Sequence, residues 1–419
     1  MTRIYSFIVL LLLIMLSSQF SFASPKVMNG LDVLLNEDFS HLLAGKRVGV
    51  ITNQTAITSN LIPIQQCLKA HSKENGYTIA AYFAPEHGLA GNIYAEEVVD
   101  TQNIDGVPIY SLYGKTRRPT ADMLKKIDVL IYDIQDIGSR SYTYVTTLFY
   151  AMEEAAKHGI PVIVLDRPNP INGLTVDGPM MEEKWRSMVG YINVPYCHGM
   201  TVGELSRYFN DEYKINCRLT VIPMRGWKRY MSFQDTGLSW IPSSPNIPEA
   251  STALYYPATG LVGELQIVSI GIGYTMPFKV IGAPWIDAEK FAKKLNDQKF
   301  PGVHFMPFYF RPFYGRFAQE DCQGAQIIVK DIKTYKPVST QYLILGILKH
   351  MYPEKMNEGL KESKSRKEMF CKVNGTEEIY QILTGKENIV WKLRAVHQKE
   401  REAFAQKRLK YLFTAYSMP

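Results

Sequence analysis

The 419-residue sequence predicts an α/β protein, a parallel sheet layered with helices and followed by a smaller α+β region. Three observations carry this. Short apolar, β-branched runs alternate with stretches of helical spacing from residue 46 to about 165, the order of a doubly wound sheet. Two of the runs, Val129 to Tyr132 and Val162 to Leu165, are apolar without a break, as strands buried on both faces are. Beyond residue 250 the order becomes mixed and the strands shorter. Right-handed connections bring the strand C-termini to one edge. No GxGxxG follows the first strand, so the sheet is Rossmann-like without a dinucleotide fingerprint, and no cofactor is expected.

The elements follow in order. The chain opens with Arg3, an apolar stretch from Phe7 to Leu16 and a small-x-small site at Ser21-Phe22-Ala23, which reads as a secretory signal over 1–23. Export to the periplasm or medium is therefore expected. No later stretch is apolar and long enough to span a bilayer, so stable membrane insertion is not expected. Arg47 to Thr52 reads as the first strand, and Leu61 to Ala70 has helical spacing. Tyr77 to Phe83 is the second strand, and FAPEHGLAG (83–91) follows its end. Asp105 to Tyr110 gives a turn and a short extended piece. Tyr113 to Pro119 is a basic loop whose GKT lacks the glycine spacing of a phosphate loop. A helix starts near Pro119, and another covers Tyr142 to His158. Thr201 with Glu204 forms a capping box for a helix from Val202. Leu219 to Pro223 reads as the last strand of a first domain placed at 24–245. The second, at 246–419, holds a Gly-rich run from Gly260 to Gly273, a helix at Ala288 to Asn296, and extended segments at Val303 to Phe310 and Ala325 to Val329. It continues with helices at Thr340 to Met351 and Trp391 to Tyr411.

Composition narrows the function. The net charge of +7 is concentrated in the tail, no nucleic-acid motif occurs, and nucleic acid is not an expected partner. Cys67, Cys197, Cys217, Cys322 and Cys371 show no metal-ligand spacing and read as buried thiols. The oligomeric state is not legible.

Aligning the strand ends places Asn53, Glu86, Asp133, Asp136, Asp166 and Arg167 on one crevice. Carboxylates beside Asn, Arg, Tyr and His suit saccharide recognition and acid/base work. Glycoside cleavage needs a proton donor for the leaving oxygen and a second group for the anomeric centre. Glu86, directly after an apolar strand, is the leading candidate for the first role; Asp136 and Asp133 are the candidates for the second. His87, Arg140, Tyr142, Asn169, His198, Asn246 and Glu264 complete the candidate substrate contacts. Asp133, Asp136 and Asp166 at strand ends are not specific for metal, and no metal site is assigned.

Long stretches also carry a likeness. GVITNQTAI, FAPEHGLAG, PIYSLYG, DVLIYDIQDIGSRSYTY, VLDRPNPING, HGMTVGEL and the closing W…F…R…KYL together resemble the exo-β-N-acetylmuramidase family (DUF1343, glycoside hydrolase family 171). The resemblance covers nearly all of the chain after the signal. It implies a Rossmann-like domain, a smaller second domain and a cleft between them. It implies removal of terminal N-acetylmuramic acid from the non-reducing end of peptidoglycan fragments, with the PEHG glutamate, Glu86, as leading catalytic residue. A cation for the lactyl carboxylate of muramic acid is then sought at Arg140 or Arg167. One departure stands out. The family's EGT…SEGRGT pattern keeps Glu264 here, but Ile270 and Ile272 occupy the places of the expected Glu and Arg. That departure favours the alternative, a non-catalytic protein that binds muramyl fragments in the same cleft.

Overall fold

The computed structural model describes residues 27–37, 39–93, 97, 102–385 and 389–417. The expected signal segment lies outside the described residues. Seven strands form the first sheet: β1 (Arg47–Thr52), β2 (Thr78–Ala84), β3 (Gln102–Ile104), β4 (Val107–Ser111), β5 (Val129–Asp133), β6 (Val162–Leu165) and β7 (Leu219–Ile222). Their order is β3-β4-β2-β1-β5-β6-β7. All pair in parallel except β3, which runs antiparallel to β4. The extended piece after Asp105 is therefore half of a small hairpin on an otherwise parallel sheet. From β1 the chain builds outward through β2 and β4, then crosses back to β5 on the other side. The β1–β5 seam is the switch point at which loops diverge and leave a crevice. Thr52 is in register with Asp133 and Ile51 with Phe83, so these strand ends lie level.

The helix Thr143–Lys157 shows why the sheet is covered. TYVTTLFYAMEEAAK has no Gly or Pro, and it buries Leu148, Phe149 and Met152. Each such side chain contributes roughly 1.5–3 kcal/mol on leaving water. The helix stops at His158, with Gly159 in the left-handed region and Pro161 next.

The second sheet is antiparallel, in the order β8 (Val280–Ala283), β10 (Cys322–Val329), β9 (Val303–Phe310). Helix Pro337–Met351 is buried on nearly every side and joins the apolar core of both sheets. The tail returns to the first sheet: the Tyr416 hydroxyl donates to Asp166 (2.8 Å) and the Phe413 amide to Glu204 (2.9 Å).

Two sequence expectations differ from the structure. The Gly-rich run begins inside a helix, Thr252–Gly263, despite Pro257, Gly260 and Gly263. Burial on all faces outweighs poor helix propensity there. A Cβ on Gly263 would meet Ile270 Cδ1 at 2.4 Å, so the packing requires glycine. The expected helix from Trp391 to Tyr411 is two helices, Ile389–Ala395 and Gln398–Lys407, broken where His397 takes a left-handed conformation.

Candidate active site

Strand β2 ends at Ala84, and Pro85 prevents further pairing. Glu86 follows, buried, and its Oε2 accepts a 2.5 Å hydrogen bond from Thr143 Oγ1. Thr143 is the first residue of its helix, so the strand end and the helix start fix the carboxyl together. His87 adopts a positive φ of 68°. That strained turn is held by Ile93, whose carbonyl accepts from His87 Nδ1 at 2.6 Å, and by the edge of Tyr144. A Cβ on Gly91 would lie 2.0 Å from the Gln54 side chain, so it is Gln54 that needs this glycine.

The proline-rich segment 242–248 lies across the crevice and is tied to the first sheet. Gln54 Nε2 donates to the Pro242 carbonyl (2.8 Å), Tyr144 to the Ser243 carbonyl (2.5 Å) and Tyr142 to Ser243 Oγ (2.9 Å). Ser141 Oγ is shared between Tyr196 (2.6 Å) and Tyr256 (3.2 Å). Burial pushes the Tyr256 phenol up to about 12 and those of Tyr142 and Tyr144 higher still. These hydroxyls stay protonated and act as donors. Trp240 braces the segment through Nε1 to the Ile247 carbonyl (3.2 Å) and its packing on Phe233.

Beneath this segment lies a cavity of about 780 Å³. Glu86, His87 and Tyr142 line one wall, with Thr143 and Ser141. Asn246 and Glu264 line it from the second half of the chain, beside Ile270, Ile272 and Phe278. Three cations reach it that the strand-end reading missed: Arg117, Arg366 and Lys372. Arg117 sits over the Tyr113 ring at 4.8 Å, Arg366 donates to the Glu264 carbonyl at 3.4 Å, and Lys372 pairs with Glu368 at 2.6 Å. Arg117 belongs to the basic loop visible in the sequence. Nothing local connects Arg366 or Lys372 with β2.

The structure sets the other candidates apart from this cavity. Asp133 is fully buried in a bidentate ion pair with Arg167, whose Nη2 donates to Oδ2 at 2.9 Å and whose Nε bonds the other oxygen. Burial pushes the Asp133 carboxyl up and Arg167 pulls it back. Neither group lines the Glu86 cavity; Arg167 borders a separate one of only about 20 Å³. Asp166 accepts from Thr201 Oγ1, the Gly203 amide and Tyr416, each at 2.8 Å, and so ties helix Val202–Glu212 and the tail to β6. Asn169 makes a turn, accepting the Ile171 amide (3.0 Å) and donating to the Met200 carbonyl (3.0 Å). His198 is buried, accepts the Met200 amide (3.2 Å) and is pushed down to about 3 by burial, then by Arg408 and Arg140, so it is a neutral structural ring. Arg140 donates to four carbonyls: Pro179 (2.6 Å), Val194 (2.7 Å), Val373 (3.2 Å) and Asn374 (2.6 Å). It clamps the two halves together and is not available to a substrate carboxylate. Asn53 Oδ1 accepts from the Thr55 amide and hydroxyl at the end of β1. Among the described residues, no three His, Cys, Asp or Glu side chains converge as a metal ligand set. The five cysteines are free and buried.

Asp136 is buried at the β1–β5 seam, outside the cavity lining, and its Oδ2 accepts the Gly138 amide at 2.7 Å. Burial pushes it up to about 7. Asp166 stands at about 7 as well, through burial and then Glu204. Unfolding returns both to about 3.9, so the unfolded chain holds fewer protons than the native one between those values. The stability that these two groups contribute should therefore be fully present below about pH 4 and fall as pH rises towards 7, by up to roughly 4 kcal/mol per group. Asp136→Asn is expected to remove about half of that slope in urea titrations at pH 5 and 8. An unchanged slope would refute the assignment.

A parallel sheet that presents a buried glutamate from a strand end to a cavity roofed by the second half of the chain gives an α/β protein with room for a saccharide-sized ligand, and the relatives it matches make the class a glycoside hydrolase. Within that class the chain belongs to the exo-β-N-acetylmuramidase NamZ family, whose N-terminal profile matches residues 48–251 and C-terminal profile residues 254–413. It is 42% identical to the peptidoglycan β-N-acetylmuramidase NamZ of Bacillus subtilis (strain 168), over 79% of each chain. A DUF1343-family protein of Bacteroides fragilis NCTC 9343 superposes with a TM-score of 0.86 at 40% identity, covering 93% of this chain and 99% of the other. A second B. fragilis protein of that family gives 0.67 at 26% identity, covering 92% and 98%.

Proposed function

We propose that this chain hydrolyses terminal, non-reducing N-acetylmuramic acid from peptidoglycan fragments in cell-wall turnover. The observation that carries the reading is the setting of Glu86. It is a buried carboxyl held by Thr143 at the wall of the one described cavity that also holds Glu264 and three cations. Glu86 supplies the proton to the leaving glycosidic oxygen. Arg117, Arg366 and Lys372, not Arg140 or Arg167, are the groups that can meet the lactyl carboxylate. Glu264 takes the second carboxylate role. The anomer first released, read by NMR, assigns it: retention for orientation of the substrate's own acetamido nucleophile, inversion for activation of water.

The direct test is release of chromophore from a β-N-acetylmuramide, with the matching N-acetylglucosaminide as control. Cleavage of the muramide alone is expected. Binding without cleavage would instead support a muramyl-binding protein, the reading favoured by Ile270 and Ile272, both of which line the cavity. Thr143→Val should lower kcat about ten- to a hundredfold, since the hydroxyl donates to the carboxylate that proton transfer leaves behind, and such a hydrogen bond contributes roughly 1.5–3 kcal/mol. Thr143→Ser should stay near wild type; equal rates for both variants would refute the role of the hydroxyl. The signal-like 1–23 segment supports export, to be checked by N-terminal sequencing of protein recovered from the periplasm or medium.

A further inference from the structure

Next to the Ile272 wall of the cavity, outside its lining, stand two exposed aromatic side chains that the hydrolysis of a terminal sugar does not use. Phe313 is 70% exposed and Tyr314 50% exposed, among the most exposed large apolar side chains described. They stand on the loop joining β9 to β10. That loop is built against the cavity wall: the Phe313 amide donates to the Gly273 carbonyl at 2.7 Å, and a Cβ on Gly273 would lie 2.0 Å from the Tyr314 carbonyl oxygen. Gly315 packs on Ile272, whose side chain lines the cavity. Further along the same loop the Arg316 guanidinium lies over the Phe317 ring at 4.4 Å. Exposed aromatic side chains on a supported loop mark a binding surface, and their flat faces match the apolar faces of pyranose rings.

We propose that Phe313 and Tyr314 bind the sugar residues on the leaving side of the cleaved bond. This rests on the exo-acting reading above. An enzyme that takes the terminal residue into a cavity leaves the rest of the chain outside it, and that remainder passes over the rim. The platform therefore serves long glycan strands and leaves small aryl glycosides unaffected. Its position next to Ile272 continues the apolar part of the cavity wall with a ring-stacking surface.

The test compares wild type with the Phe313→Ala/Tyr314→Ala variant on two substrates: a chromogenic β-N-acetylmuramide and peptide-free glycan strands of several disaccharides. Both side chains are largely exposed, so thermal midpoints should match. Expected is a fall of about tenfold in kcat/KM on the strands, with the muramide rate unchanged. Equal kcat/KM of the two proteins on the strands would overturn the proposal, as would an equal loss on both substrates. If wild type cleaves neither substrate, the hydrolase reading fails, and strand binding decides the rim: about tenfold weaker binding by the variant supports it, and equal binding overturns it.

Discussion

Glu86→Gln is expected to lower kcat on a β-N-acetylmuramide by about a hundred- to ten-thousandfold while leaving substrate binding within a few-fold. General acid catalysis contributes about 10²- to 10⁴-fold, and glutamine keeps the shape of the side chain without its proton. The Thr143 hydroxyl that donates to Oε2 can still donate to the amide oxygen, so the helix start and the strand end should hold their places. Binding of a muramyl fragment by calorimetry should survive, since the cations and Glu264 are untouched. The loss would then lie in kcat and not in KM, the pattern of an interaction made in the transition state. Retention of more than a tenth of the wild-type kcat would remove Glu86 from the role.

Asp133→Asn should behave in the opposite way. Removing one member of a buried ion pair leaves the other charged and unpaired, which destabilises by roughly 3–5 kcal/mol. Here the orphan is Arg167, whose remaining contact is the Ile57 carbonyl at 3.0 Å. The variant should unfold at a clearly lower urea concentration, with kcat of the folded fraction near wild type. Asp133→Leu combined with Arg167→Met should recover much of the loss, because no buried charge remains. A thousandfold fall in kcat for Asp133→Asn at full folding would return Asp133 to the catalytic machinery. Together the two substitutions separate a carboxylate that faces a ligand from one that faces a guanidinium.

That separation marks how far the sequence could be read. The strand-end rule correctly brought Asn53, Glu86, Asp133, Asp136 and Asp166 to one edge of the sheet. It could not say which of them face outward. Asp133 and Asp166 end strands as Glu86 follows one, but Arg167 closes over the first and Tyr416 over the second. Tyr416 lies 250 residues from its partner, so no local pattern could have announced the bond. Thr143 was legible in principle, as the first residue of a helix that follows a polar strand end, yet its partner lies 57 residues earlier. The helix Thr252–Gly263 was hidden by its own Pro and Gly, since burial rather than propensity forms it.

By itself, the sequence determined the parallel sheet, the helix Thr143–Lys157, the capped helix Val202–Glu212, and the motifs that carry the family likeness. Periodicity, capping and apolar runs are local, and they act within a few residues of where they are written. The tertiary structure alone decided which polar groups are spent on holding the fold and which remain for a substrate. It withdrew Arg140, Arg167, Asp133, Asp166 and His198 into the interior, and it brought Arg366, Lys372 and Glu264 from the far half of the chain to the wall of the Glu86 cavity. The physical reason is that a buried charge or hydrogen-bonding group must find a partner, and the partner's place in space is not written in the spacing of residues.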